Sequence, residues 1–110
     1  MEHICLEHKL LDEKIYVFTH KTGLKIYILE KKNFTSTHAV FGTKYGSIDT
    51  CFSTDNVNFT TVPEGIAHFL EHKLFEEADG SDVFAKFAML GASANAFTSH
   101  EMTSYLFSAT

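Results

Sequence analysis

Three residues in the middle of the chain have the types and spacing for metal-assisted hydrolysis. They lie in Gly65-Ile66-Ala67-His68-Phe69-Leu70-Glu71-His72-Lys73-Leu74-Phe75. A helix turning about 100° per residue brings His72 to roughly 40° from His68 and puts Glu71 about 60° to the other side. Two imidazoles one turn apart can hold a divalent zinc ion at its ordinary nitrogen distances. A carboxylate between them can reach a water that the metal has made acidic. The spacing is strict, because a shift of one residue turns a ligand away by about 100°. Ile66, Leu70 and Leu74 fall on the opposite arc and are expected to fasten the helix to a core. His3, Glu7 and His8 repeat the composition without the geometry, since imidazoles five residues apart diverge by about 140°. They read as surface residues.

Such a site needs a helix and a surface to carry it. Pro63 followed by Glu64 is a helix start signal, and Gly65 to Phe75 continues at helical period until Asp79-Gly80 ends it. Ser81 can N-cap a second helix, Asp82 to Leu90, with Gly91 as its C-terminal cap. Upstream, Lys14–Thr19 and Leu24–Leu29 read as a hairpin across His20-Lys21-Thr22-Gly23. Thr35–Tyr45 reads as a third strand before Gly46-Ser47, and Thr50–Thr61 as a turn-bearing segment around Asp55-Asn56. Downstream, Ala92–Phe97 and Thr103–Ala109 read as two strands around Ser99-His100-Glu101. The expected fold is α+β, an antiparallel sheet with helices packed on one face.

The chain has 110 residues, so 1–110 is read as one domain or part of one. With 45% hydrophobic and 21% charged residues it has the composition of a globular protein. Net charge is -5 and all nine basic residues are Lys, which argues against nucleic acid or an anionic membrane as partner. Cys5 and Cys51 are too few for a disulfide framework or a Cys-rich zinc module. The stretch Met1 to His8 is mixed and acidic, without the basic and apolar regions of a signal peptide. The expectation is a soluble cytoplasmic protein. Tyr105-Leu106-Phe107 is an apolar strand close to Thr110, so these residues are expected to be the front part of a longer chain.

His68-x-x-Glu71-His72, reversed relative to His-Glu-x-x-His, resembles the inverted zinc motif of the pitrilysin/insulinase family of metallopeptidases, the inverzincins. The resemblance runs from about Lys14 to Thr110. It takes in Gly46-Ser47, Gly65 to His72 with Leu74-Phe75, Gly91-Ala92-x-x-Asn95-Ala96-Phe97-Thr98, and Thr103-x-Tyr105. The wording Glu71-His72-Lys73-Leu74-Phe75-Glu76 looks most like bacterial members.

That resemblance implies a zinc-dependent endopeptidase acting on peptides or small proteins. His68 and His72 would be metal ligands and Glu71 the general base toward the metal-activated water. Asn95, Ala96 and Phe97 match the edge strand on which family members lay an extended substrate, although an ordinary strand with a polar residue near its end would read the same way. Phe75, about 20° from His68 on the helical arc, either lines the cleft or packs in the core. The family's third ligand is a Glu on a later helix, expected beyond Thr110, and Glu76, Glu77, Asp79 and His100 do not occupy its place. The 110 residues alone are therefore expected to be inert and to associate with copies of themselves. The rival from another class is a non-catalytic scaffold or partner subunit. Such members usually lose the inverted motif, which is intact here. A closed structural zinc module would want four protein ligands.

Overall fold

A computed structural model describes residues 3–110; Met1 and Glu2, the start of the acidic N-terminal stretch, lie outside the described residues. The chain divides into two compact units, Met1–Phe34 and Thr35–Thr110.

The first unit is a three-stranded antiparallel sheet in the order β1-β2-β3, built from β1 (His3–His8), β2 (Glu13–Thr19) and β3 (Lys25–Leu29). The expected hairpin is β2–β3, with Tyr16 opposite Ile28 and Val17 opposite Tyr27. Its turn closes through Gly23 N–H donating to the His20 carbonyl at 2.9 Å, with Gly23 at φ 89°, a left-handed value that favours glycine. Strand β1 is a correction to the sequence reading, which gave its residues no element. His3 stands opposite Phe18, their rings stacked at 5.3 Å, and Glu7 stands opposite Lys14, 3.4 Å from its ammonium.

The second unit carries the helices. Strands β4 (Thr37–Thr43), β7 (Ser93–Thr98) and β8 (Thr103–Ala109) form an antiparallel sheet in the order β4-β8-β7. Residues directly opposite each other share a face. One face thus carries three rows: Ala39-Phe107-Ala94, Phe41-Tyr105-Ala96 and Thr43-Thr103-Thr98. Helices α1 (Ile66–Lys73) and α2 (Val83–Met89) pack on that face, where Phe75 stacks on Phe84 at 4.2 Å and leans on Tyr105 at 5.9 Å, and Phe87 meets Phe107 at 5.9 Å. The fold is α+β with the helices on one face of an antiparallel sheet. Between β4 and α1, β5 (Cys51–Phe52) and β6 (Thr60–Thr61) form a two-residue ladder.

Three local expectations need correction. Asp82, not Ser81, caps α2: its carboxylate accepts from Phe84 N–H at 2.8 Å. Helix α1 stops at Lys73, so Phe75 lies beyond it. The buried residues of α1 are Ala67 (2% exposed) and Glu71 (7%), whereas Leu70 and Leu74, expected to face a core, are 47% and 59% exposed. The reason is the surface beneath: α1 sits where β7 ends with Thr98 and β8 opens with the buried Thr103. A small residue allows close approach there, and a carboxylate finds a hydroxyl partner.

Candidate metal centre

Helix α1 begins at Gly65, whose φ of 82° turns the chain into the first helical residue without a side-chain cap. From there the four-residue spacing places the His68 and His72 rings together on the exposed side, with centroids 4.7 Å apart. The two Nε2 atoms approach to 2.9 Å, so both rings point at a common spot. Two nitrogens bound to one tetrahedral zinc ion would stand about 3.3 Å apart. The pair therefore fits zinc after a small opening of the rings, and imidazole nitrogen is a donor zinc accepts. Among the described residues no group of three or more His, Cys, Asp or Glu side chains is placed to hold a metal. The candidate centre consists, among the described residues, of these two nitrogens alone.

Glu71 lies between the histidines in sequence and turns inward. One carboxylate oxygen, Oε2, accepts a 2.8 Å hydrogen bond from the Thr98 hydroxyl and stands 3.8 Å from His68 Nδ1, too far for a bond. Its side chain is 10% exposed against 60% for His68. The hydroxyl that satisfies it is itself backed up. Thr103 donates to the Tyr45 carbonyl at 2.8 Å, and its oxygen lies 3.4 Å from that of Thr98. Burial, with the Glu71 charge as a second cause, pushes the Tyr105 phenol above its ordinary pKa, so that ring stays neutral.

The remaining expected site residues are placed differently. Phe75 belongs to the aromatic cluster with Phe84 and Tyr105, beside an apolar cavity of about 200 Å³ that no charged side chain lines. Strand β7 has β8 on one side and, among the described residues, no strand on the other. It is an edge. Ala96 shares the face of Thr98, while the alternation of the strand sends Asn95 and Phe97 to the opposite face. Asn95 Oδ1 accepts from the Ala96 N–H at 2.9 Å. Glu76 is paired with Lys73, Glu77 with Lys86 at 2.9 Å, and Asp79 accepts from Ser81 N–H at 2.9 Å. None of these acids joins the histidines. Sequence reasoning quoted Thr98 and Thr103 only within a longer pattern and missed what their hydroxyls do, because the partners lie 27 and 58 residues away.

The model of the insulinase family, peptidase family M16, matches residues 57–110, which include His68, Glu71 and His72. A Bacillus subtilis protein named an uncharacterized zinc protease, YmfH, is 57% identical over 106 residues, 96% of this chain and 24% of its own length. The chain belongs to the insulinase family. A second B. subtilis relative, AlbF, which also carries a zinc-protease name, is 34% identical over 97 residues, 88% of this chain and 22% of its own. A crystal structure from Alicyclobacillus acidocaldarius, described as an M16-like peptidase, matches with a TM-score of 0.80 and 40% identity over 97% of this chain and 24% of that one. This insulinase-family chain thus spans about a quarter of the length of the relatives it matches.

Proposed function

We propose that the chain supplies the metal-binding and proton-transfer part of a zinc endopeptidase site, with His68 and His72 as ligands and Glu71 as general base. The observation that carries this reading is the convergence of two Nε2 atoms at 2.9 Å on the exposed side of a helix whose inward side holds a buried, hydrogen-bonded carboxylate. Bound zinc would polarise a scissile carbonyl and acidify water. Glu71 takes the proton of the attacking water and gives it to the leaving amine. The open edge of β7 takes an extended peptide or small protein by strand addition, its backbone at Ala96 meeting the substrate. Because two nitrogens leave zinc short of its usual set, the full-length protein supplies a further ligand from outside the described residues, and the 110 residues alone are inert.

Glu71→Gln tests the assignment. It keeps size and polarity but cannot accept the proton, so the full-length protein should keep about one zinc per site while peptide turnover falls by about 10²-fold or more. Chelation should abolish activity and added zinc restore it. Parental cleavage by the Gln variant, or a purified protein that holds no zinc and ignores chelator, would refute the reading. A non-catalytic partner subunit would show no peptide turnover in the parent protein and no response to chelator.

A further inference from the structure

We infer that Thr98 is a positioning residue for this chemistry: its hydroxyl fixes one oxygen of Glu71 and leaves the other free to take the proton. The inference rests on the reading of Glu71 as general base. The terminal torsion of a Glu side chain is broad and nearly two-fold, so an unrestrained carboxylate presents either oxygen in many orientations. Here the Glu71 oxygen Oε2 accepts from Thr98 Oγ1 at 2.8 Å, in a setting where the residue is 7% exposed and water competes little.

The direction of that bond is set by its neighbours. The Thr103 hydroxyl has one proton, and the Tyr45 carbonyl at 2.8 Å can only accept it. Thr103 therefore has none to offer Thr98 across 3.4 Å, and the Thr98 proton goes to the carboxylate. Thr98 ends β7 and Thr103 opens β8, directly opposite each other, so both hydroxyls ride on paired strands. The carboxylate is aimed by the sheet, not only by its own helix.

The experiment separates hydroxyl from methyl in the full-length zinc-loaded protein, with Glu71→Gln alongside. Thr98→Val keeps the shape and loses the donor. It should lower kcat roughly ten- to a hundredfold with KM nearly unchanged, as for loss of a hydrogen bond to a charged group. Thr98→Ser keeps the donor and loses the methyl, and should stay within about threefold of the parent. Zinc content, read on every variant, should match the parent. The melting midpoint should fall for Thr98→Val, which leaves a buried carboxylate oxygen unpaired, and stay near the parent for Thr98→Ser. A merely structural threonine would give the reverse order, Val active and Ser impaired, and that result overturns the inference. Should Val fail to fold, Thr98→Ala against Thr98→Ser decides: Ala impaired with Ser active supports positioning, and equal rates overturn it. If Glu71→Gln itself cleaves normally, the general-base reading fails. If Gln is dead while Val is fully active, only the positioning role fails.

Discussion

Gly46 offers a quantitative test of how tightly the sheet holds the centre. It is buried where the turn after β4 meets the Ser99–Met102 turn between β7 and β8. A Cβ added there would lie 2.3 Å from the His100 carbonyl oxygen, 2.4 Å from its carbon and 2.5 Å from Glu101 N, all backbone atoms. Gly46 is not among the positive-φ glycines, so the constraint is space alone. Ordinary contact begins at 3.4 Å, so Gly46→Ala must drive the turns apart by about 1 Å. Two backbone bonds cross this gap, Ser47 N–H to Ser99 O at 3.0 Å and Ile48 N–H to His100 O at 3.1 Å. A 1 Å separation stretches both beyond bonding range, for about 1 kcal/mol each. Local overpacking costs about 1 kcal/mol more, giving roughly 3 kcal/mol in all. Urea denaturation followed by circular dichroism measures it, with Gly42→Ala as control because a Cβ there meets only side-chain atoms at 3.7 and 3.8 Å. If Gly46→Ala unfolds within about 0.5 kcal/mol of the parent, the contact between the turns is not the constraint described.

Two further outcomes follow from other parts of the second unit. The Asp55 carboxylate is held well below the usual carboxylate range, first by the backbone N–H of Asn58, then by that of Val57 and the side chains of Asn58 and Ser53. A depressed folded pKa means a contribution that is present above the unfolded value and lost as pH falls through the folded one; amide exchange at Val57 and Asn58 should therefore stay slow below the usual carboxylate range, whereas acceleration as pH falls through that range would contradict it. Phe75→Leu keeps apolar volume in the cluster with Phe84 and Tyr105, so it should cost about 1 kcal/mol in melting experiments and leave KM unchanged; a large rise in KM would return Phe75 to the substrate cleft.

Much of this architecture was legible in the residues, and the failures have physical causes. The β2–β3 hairpin, β4, β7, β8 and both helices show themselves through local grammar: alternation, a Gly turn, a Pro-Glu start and helical spacing. Strand β1 does not, because His3, Cys5 and Glu7 interleave with Ile4 and Leu6 without a clean polar face, and the turn after it takes its positive φ at Asp12 instead of a glycine. The rotation of α1 was misread for a different reason. Apolarity alone would bury Leu70 and Leu74, but the sheet offers hydroxyls at Thr98 and Thr103, so Ala67 and Glu71 face inward. The histidine pair is set within one helix, which is why spacing alone located it; the partner of Glu71 depends on strand pairing that no local pattern encodes.

That difference in range also orders the assembly of the site in time. His68 and His72 are four residues apart and meet as soon as one turn of helix forms, an event of a microsecond or less. The bond from Thr98 to Glu71 must close a loop of 27 residues, and the one from Thr103 to Tyr45 a loop of 58. Each closure carries an entropic cost that grows with loop length and is met only when β8 has paired with β4 and β7. A chain still on its way to the native state can therefore bring its imidazoles together before its carboxylate is aimed. The imidazole pair can be complete before the carboxylate is tied to the sheet, and strand pairing is the checkpoint between the two.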